Sequence, residues 1–159
     1  MRTRAKRIAL APRLYLDDLP RLRARLTASP AELILIGRRH LRSNNSWCHN
    51  STRLVKGPPR CTLLIHPADA AARGIADGDI VELASKTGRV RVPAEVTDEI
   101  MAGVVSLPHG WGHARPGTQL SVANANPGAS VNDVTSEDLY DPVSGNAALS
   151  GLDVVVTRV

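Results

Sequence analysis

The chain has 159 residues, of which 43% are hydrophobic and 22% are charged. This composition is typical of a folded globular chain and excludes general disorder, and the length favours one domain or two small ones. No apolar run approaches the ~20 residues that cross a membrane, and the charged segment from Met1 to Arg7 does not lead into a secretory signal. Two cysteines, Cys48 and Cys61, exclude a disulfide framework and predict a reducing, cytoplasmic setting.

The net charge of +5 hides an asymmetry along the chain. Residues 1–60 carry 14 Lys and Arg against 3 acidic residues, a net +11, whereas residues 61–159 carry 6 against 12, a net −6. A basic half predicts contact with an anion, which could be a nucleic acid, a phosphorylated cofactor or an acidic protein surface. Solvated arginines without any partner are the alternative interpretation.

The first predicted element is a short amphipathic helix that follows a tail or linker at residues 1–12. Asp18 is placed to cap this helix with Pro20 in its first turn, and Pro30 is placed to end it. Its apolar stripe consists of Leu19, Leu22 and Leu26. Three leucines cannot bury a helix by themselves, so we expect it to dock on another surface.

From Glu32 onward the pattern predicts six short strands and one short helix, which would begin at Pro67 and end at Gly74. The strands are expected at residues 33–36, 61–65, 80–84, 90–96, 104–107 and 152–157. The first is a continuous apolar run, typical of a strand buried on both faces, whereas residues 90–96 alternate and predict a half-exposed antiparallel hairpin. Six short strands with few aromatic residues favour a small barrel or sandwich.

A polar segment follows the first strand directly and is the first candidate ligand loop. Its glycine permits a close backbone approach, its arginines offer planar donors to phosphate, and its serine and asparagine side chains can read the edge of a heterocycle. Its tryptophan offers a stacking face. The candidate residues are Gly37, Arg38, Arg39, Arg42, Ser43, Asn44, Ser46, Trp47, His49 and Asn50. The same residue types also build ordinary turns.

Two later segments are further candidates. The second loop follows the fifth strand, and its candidate residues are His109, Gly110, Trp111, Gly112 and His113. Two histidines four residues apart suit a metal on a helix, but the glycines argue against a helix here, so we expect no zinc site, even with nearby Cys48, His49 and Cys61. The third loop, residues 124–135, is rich in amides, includes Asn132, and would close over a polar ligand or form an irregular loop.

Signatures of common catalytic sites are missing from the sequence. It contains no phosphate-binding P-loop, no nucleophile elbow, no paired-glycine dinucleotide signature and no His-Glu-x-x-His metal motif. We therefore predict no catalytic residue and no metal ligand within this chain.

Taken together, these segments resemble the C-terminal cofactor-binding domain of the molybdopterin oxidoreductases, which include formate dehydrogenases, nitrate reductases and dimethyl sulfoxide reductases. Residues 35–50 are similar to the first cofactor loop of the formate-dehydrogenase-like branch, and residues 66–79 to the strand–helix–strand turn of the family. Residues 109–113, and Asn132 with Thr135, look like its second and third loops. Residues 8–12 and 18–22 resemble the linker that leads into this domain.

The resemblance implies a mainly β fold, a six-stranded double-psi β-barrel with short helices. Residues 31–159 would form this barrel, and residues 1–30 would be a linker and amphipathic helix from the preceding domain. Both tryptophans would then belong to cofactor loops, and neither would be needed for the core.

The resemblance also implies that the chain binds molybdopterin guanine dinucleotide. Arg38, Arg39 and Arg42 would contact phosphate or pterin. The dinucleotide would be lined by Ser43, Asn44, Ser46 and Trp47, and the pterin end would meet the 109–113 loop and Asn132. Molybdenum or tungsten would be held by another domain, so Cys48 is not expected to be a ligand and the chain is not expected to turn over alone.

The expected partners are the remaining domains or subunits of such an oxidoreductase, with no nucleic acid and no membrane span. The alternative is a non-enzymatic double-psi barrel that binds protein or nucleic acid through its basic N-terminal half. Its basic residues are not interleaved with aromatic residues, as platforms for single-stranded nucleic acid require, which disfavours this alternative.

Overall fold

The structure is a computed structural model that describes residues 6–29 and 31–159. All six predicted strands are present. In chain order the elements are α1 (Arg13–Thr27), β1 (Leu33–Arg38), α2 (Thr52–Val55), β2 (Leu63–Ile65), α3 (Pro67–Ala72), β3 (Ile80–Ala84), β4 (Arg89–Val96), β5 (Val104–Pro108), α4 (Ser121–Ala125), a 3₁₀ turn (Val131–Val134) and β6 (Leu152–Arg158).

The strands close into a barrel in the order β1-β5-β2-β4-β3-β6. Two of the pairs, β1 with β5 and β2 with β4, are parallel, and the other four are antiparallel. This pairing pattern is unchanged when β1, β2 and β3 are exchanged with β4, β5 and β6. The barrel therefore consists of two interlocked three-stranded halves with equivalent pairing, and the predicted double-psi β-barrel is confirmed.

Branched aliphatic side chains fill the barrel interior. Leu35, Leu63 and Leu83 are fully buried, and the core contains no Phe. Along β4 the side chains of Val90 and Val92 are buried, while the arginines between and beside them are exposed. The predicted antiparallel hairpin of β3 and β4 is confirmed, because such alternation places one face of the hairpin in the core and the other in solvent.

The first strand is not buried on both faces, as its apolar run had suggested. Leu33 and Leu35 are fully buried, but Ile36 is 37% exposed. The reason is geometric: alternate residues of a barrel strand point inward and outward, and the outer face of β1 is left partly open to solvent. An apolar run alone does not distinguish this arrangement from a strand covered on both sides.

Helix α1 begins earlier than predicted. It starts at Arg13, and Asp18 is not its cap but pairs with Arg21 at 2.6 Å. An ion pair of 2.9 Å between Arg13 and Asp17 supports the additional first turn. Pro20 lies inside the helix, where it removes the bond that its N–H would have donated four residues back. The helix ends at Thr27, and the predicted terminator Pro30 lies outside the described residues.

Two arginines of helix α1 form ion pairs with carboxylates near the C-terminal end of the chain. Arg21 lies 2.9 Å from Asp141 and Arg25 lies 3.8 Å from Asp153. Within residues 13–27, all of which the structure describes, no side chain is buried. The exposed fractions along the predicted apolar stripe are 40% for Leu19, 53% for Leu22 and 77% for Leu26. Among the described residues, no helix is long and apolar enough to span a membrane.

Truncating a leucine of the barrel core should reduce stability far more than truncating a leucine of the exposed stripe on α1. Leu83→Ala removes a fully buried side chain and should lower the free energy of unfolding by about 2–5 kcal/mol. The matched control Leu26→Ala, on exposed α1, should change it by less than about 0.5 kcal/mol. Urea unfolding measures both, and equal losses would contradict this placement of the core.

Candidate functional site

The three predicted loops lie together at one end of the barrel. Because β1 and β5 are parallel neighbours, with Arg38 opposite Pro108, the first and second loops begin side by side. The His109 N–H donates to the Arg38 carbonyl at 3.0 Å. The third loop joins them where the N–H groups of Gly112 and His113 both donate to the Pro127 carbonyl, at 2.7 and 3.1 Å.

Three glycines, Gly110, Gly112 and Gly128, allow these loops to touch, and we call them the glycine junction. A Cβ added at Gly110 would overlap the backbone carbonyl of Asn45 in the first loop. One added at Gly112 would lie 2.5 Å from Cβ of Ser130 in the third loop. These contacts involve backbone or side-chain roots, which cannot swing away, so a larger residue would separate the loops.

A cluster of three rings links the first two loops. His49 is only 2% exposed, and its Nδ1 lies 2.6 Å from Nε2 of His113. The ring of Trp111 packs against that of His49 at a tilt of 41°, with centroids 4.2 Å apart. Trp111 also packs against the barrel core, which corrects the expectation that neither tryptophan is needed there. Aromatic residues are scarce in this chain, and this one serves both the core and the loops.

Two ring nitrogens of this cluster lack a hydrogen-bond partner. Among the described residues, Nε2 of His49 and Nε1 of Trp111 are buried without a hydrogen-bond partner. Buried polar atoms in native proteins are nearly always paired. The pair of atoms therefore suits a polar group with oxygen or nitrogen at the junction.

Arg38 is occupied within the barrel. Its Nη1 donates to the Ser106 carbonyl at 2.6 Å, and its Nη2 donates to the carbonyl and Oγ1 of Thr62 at 2.8 and 3.0 Å. Thr62 Oγ1 in turn donates to Glu95 at 2.5 Å. Burial lowers the pKa of Arg38, and the Glu95 carboxylate partly offsets that effect. The side chain thus fastens the root of the first loop to β5 and to the residue before β2, and its contact with phosphate or pterin stays a prediction.

Arg39 lies at a small cavity beside His109. This cavity of about 140 Å³ is lined by Gly37, Arg39, His109, Val131, Thr135, Leu149 and Ser150. Burial and the nearby Arg39 charge lower the pKa of His109. An exposed guanidinium beside an imidazole and a glycine backbone suits an anionic group.

Leu149 and Ser150 were missed by the sequence analysis. Ser150 Oγ accepts from the Gly37 N–H at 3.2 Å. These residues directly precede β6, which pairs antiparallel with β1 so that Leu152 lies opposite Leu35. Antiparallel pairing brings the chain before β6 to the same end as the chain after β1. Leu149 and Ser150 could have been identified from the sequence only if the antiparallel pairing of β6 with β1 had been predicted.

Most other candidates of the first loop shape the loop itself. The Ser43 hydroxyl is buried and donates to the His40 carbonyl at 3.0 Å. Arg42 donates to the Lys56 carbonyl at 2.9 Å. The Asn50 side chain accepts the N–H groups of Val122 and Ala123 at 2.9 and 3.3 Å, so it caps α4 across more than 70 residues of chain.

The remaining candidates present side chains to solvent. Trp47 is 84% exposed, and Asn44, Ser46 and Asn132 are also exposed. The Asn132 carbonyl accepts the Thr135 hydroxyl at 3.1 Å. Exposure leaves Trp47 free to stack on a planar ligand.

A larger cavity lies on the other side of the third loop. It has a volume of about 380 Å³, and Arg91, Arg115 and Asp133 are the charged residues in its lining. Arg115 and Asp133 form an ion pair. Gly112 and Gly128 of the glycine junction also line this cavity, so it is continuous with the same loops.

Potential metal ligands are not grouped. Among the described residues, no cluster of three or more His, Cys, Asp or Glu side chains is placed to hold a metal ion. Cys48 and Cys61 are free thiols. Burial raises the pKa of Cys61, and its Sγ accepts the Ala129 N–H at 3.2 Å. The thiol of Cys61 therefore supports the third loop.

Comparison with known proteins identifies the family. The model of the "Molydopterin dinucleotide binding domain" matches residues 33–152, which include the six strands up to the start of β6 and all three loops. The chain belongs to this family. It is a molybdopterin dinucleotide binding domain, and the predicted relationship to the molybdopterin oxidoreductases is confirmed.

Similar proteins include two reductases and one solved structure. The domain is 56% identical over 48 residues, 30% of its length, to the trimethylamine-N-oxide reductase of Haemophilus influenzae. It is 34% identical over 97 residues, 61% of its length, to the putative dimethyl sulfoxide reductase chain YnfE of Escherichia coli. Acetylene hydratase from Pelobacter acetylenicus superposes on 91% of the domain with a TM-score of 0.66 and 25% identity.

The domain is short beside these relatives. It spans 6% and 12% of the lengths of the two reductases and 20% of that of the hydratase chain.

If the glycine junction is tightly packed, alanine should destabilise the fold more at Gly110 than at a glycine with a similar φ angle but open surroundings. Gly110→Ala should lower the free energy of unfolding by the strain of a positive φ (+93°), about 1 kcal/mol, and by a further 1–3 kcal/mol, roughly, for the overlap with Asn45. Gly117 has φ +84° and open space around it, so Gly117→Ala should show the strain alone. Equal losses in urea unfolding would contradict the junction.

One buried histidine, His49, and two partly buried ones, His40 and His109, predict an acid-sensitive fold. Burial is the main cause that lowers the pKa of His40, His49 and His109. The unfolded chain therefore binds protons at a pH where the folded chain does not, so stability should be fully present above about pH 6.5 and fall as the pH drops below it.

Thermal unfolding between about pH 8 and pH 5 measures this dependence. We expect the melting temperature to decrease towards acid, with a shallower slope in His49→Gln. A melting temperature that rises over the same range would contradict the burial of these imidazoles.

Proposed function

We propose that this domain binds molybdopterin guanine dinucleotide as the C-terminal part of a molybdenum or tungsten oxidoreductase whose metal is held elsewhere. The observation that carries the proposal is the assembly of all three loops at the glycine junction, where two buried ring nitrogens remain unpaired. Membership of the molybdopterin dinucleotide binding family supports the cofactor class. The guanine base and the choice of metal are proposals.

The donor set at the loops fits such a cofactor. Arg39 and His109 flank a small cavity that suits a phosphate. The ring nitrogens of His49 and Trp111 are buried and unpaired, as hydrogen bonding to a pterin edge requires. Gly37 is exposed and lines the same small cavity, so its backbone can approach a ligand there. Trp47 is exposed and can stack on guanine.

In this proposal the protein binds and orients while the cofactor carries the chemistry. When bound, the cofactor supplies two-electron redox chemistry, with oxygen-atom or hydride transfer at its metal. Arg39 holds a phosphate, His49 and Trp111 fix the pterin end, and Arg38 keeps the first loop at the mouth of the barrel. The free thiols, including Cys48, are not assigned as metal ligands.

We further propose that residues 1–30 belong functionally to a neighbouring domain or subunit. Two arginines of helix α1 pair with Asp141 and Asp153, while Leu22 and Leu26 are more than half exposed. The reductases that the domain resembles are many times longer. An exposed leucine stripe on such a helix suits packing against another part of the same enzyme. The free thiols favour a reducing, cytoplasmic setting.

The substrate of the whole enzyme is a separate question. The resemblance of the first loop to the formate-dehydrogenase-like branch predicts formate. The relatives described above are named for trimethylamine N-oxide, dimethyl sulfoxide and acetylene. Because loops that hold the cofactor do not by themselves contact the substrate, formate stays a prediction.

The alternative is a barrel that binds nucleic acid through its basic half. The structure weakens this alternative, because several of the basic residues are engaged within the chain. Arg21 and Arg25 contact carboxylates of the chain, and Arg38 and Arg42 donate to backbone carbonyls. These four are partly or wholly engaged internally. Salt dependence distinguishes the two functions, since nucleic-acid binding weakens steeply with salt.

A titration with GDP tests the proposed function. We expect the backbone amide signals of residues 37–50 and 109–113 to shift at millimolar GDP, with little loss at higher salt. Arg39→Ala should weaken binding about tenfold, or about 1.4 kcal/mol. The matched control Arg89→Ala removes one exposed cation from β4 and should leave the affinity unchanged. Unshifted loops, or equal weakening by both variants, would contradict the proposal.

A further inference from the structure

Backbone hydrogen bonds between two strands fix Ser150 at the edge of the small cavity. The Gly37 N–H, near the end of β1, donates to Ser150 Oγ at 3.2 Å. The Gly151 N–H, directly before β6, donates to the Leu35 carbonyl at 2.9 Å. The antiparallel pairing of β6 with β1 thus sets the position of this hydroxyl, although Ser150 and Gly37 are 113 positions apart.

The Ser150 hydroxyl still has its own proton to donate. A serine oxygen accepts up to two hydrogen bonds and donates one, and Ser150 Oγ accepts one from Gly37. Among the described residues, none accepts the Ser150 proton. The other hydroxyl of the cavity lining differs, because Thr135 donates its proton to the Asn132 carbonyl at 3.1 Å. Ser150 therefore offers the cavity a free hydroxyl donor.

The size and charge of the small cavity suit a single anionic group. Arg39 is the only permanently charged residue in the lining, which contains no acidic residue. Burial and the Arg39 charge lower the pKa of His109, so its imidazole is mainly neutral near pH 7. The volume of about 140 Å³ is well below the ~300 Å³ at which pockets begin to enclose a whole small molecule. A phosphate group fits, since guanidinium and hydroxyl groups are frequent donors to phosphate oxygens.

We propose that Ser150 binds the same phosphate group as Arg39, by donating its hydroxyl proton in a hydrogen bond to a phosphate oxygen. This inference rests on the proposed function, because the phosphate belongs to the bound dinucleotide. No proton is transferred and no covalent bond forms or breaks. Arg39 follows β1 and Ser150 precedes β6, so the phosphate joins two segments that are far apart in the chain. Ser150 thereby adds a fourth segment to a site whose sequence signals lie in the three loops.

Binding of GDP to variants of the full chain tests the inference. Ser150→Ala removes the donor and should weaken GDP binding about tenfold. Ser150→Thr keeps a hydroxyl at this exposed position and should restore most of the affinity. The matched control is Ser144→Ala, in the same exposed segment, where the serine oxygen also accepts one backbone N–H, from Asn146 at 3.3 Å. It should leave the affinity unchanged. Equal GDP affinities of Ser150→Ala and Ser144→Ala would overturn the inference.

Ser150→Asp separates the donor role from a structural role. An aspartate carboxylate can accept the Gly37 N–H as serine does, but it donates no proton and repels phosphate. Ser150→Asp should therefore bind GDP more weakly than Ser150→Ala, while its urea unfolding midpoint stays close to that of the unaltered chain. If Ser150→Asp bound GDP as tightly as the unaltered chain, acceptance from Gly37 would be the only role of this side chain and the inference would be wrong.

A double-mutant cycle asks whether Ser150 and Arg39 hold the same group. If they do, the combined variant should lose clearly less affinity than the product of the two single losses, about a hundredfold. A full hundredfold loss, roughly, would place the two side chains on different groups and overturn the inference.

Inorganic pyrophosphate distinguishes recognition of the phosphate from recognition of the nucleoside. It should compete with GDP, and Ser150→Ala should weaken pyrophosphate and GDP by a similar factor. Pyrophosphate that does not compete, or that binds both chains equally, would assign Ser150 to the base or sugar and contradict the inference.

The outcomes also separate this inference from the proposed function. GDP binding that shifts the first and second loops, with no difference between Ser150→Ala and its control, would overturn the role of Ser150 and leave the proposed function intact. No binding at millimolar GDP would contradict both.

Discussion

The close contact of three loop backbones at Gly110, Gly112 and Gly128 is the constraint on which the candidate site depends. A Cβ at Gly128 would lie 2.7 Å from the Trp111 ring and 2.8 Å from Cys61 Sγ, and the other two positions are no more spacious. The ring cluster can bridge the first and second loops only because these backbones meet. In a site built this way, the ligand contacts are arranged before the ligand arrives, which lowers the entropic cost of binding.

The barrel topology is what brings the loops to the junction. The parallel pairing of β1 with β5 places two chain exits side by side, and the antiparallel pairing of β6 with β1 returns Ser150 to the same end. Arg38 locks this arrangement, since one guanidinium joins β1 to the carbonyls of Ser106 and Thr62. A residue that resembles a phosphate ligand in sequence therefore contributes mainly by holding the strands from which the ligand loops emerge.

Much of the barrel could be predicted from the sequence because strand periodicity and turn residues are local signals. Each of the six strands lies where its apolar pattern indicated, and β3 was located to the residue. The start of α1 was predicted too late because Asp18 and Pro20 match the residues typical of a helix N-terminus. The helix begins one turn earlier, where Arg13 forms an ion pair with Asp17. The packing of Trp111 against the core and the internal role of Arg38 depend on tertiary contacts that no local pattern encodes. The family resemblance located the loops, but their meeting through glycine is visible only in three dimensions.

Hydrogen exchange of single amides in Gly110→Ala tests most directly whether the three loops form one unit. The substitution disturbs only the contact between the first and second loops, yet the account predicts faster exchange at Gly112 and His113, whose N–H groups bond Pro127, and at Asp133 in the third loop. Exchange in the barrel strands should remain slow. If the acceleration were confined to the first loop and Gly110 itself, with Asp133 unchanged, the loops would be independent and the central claim would be wrong.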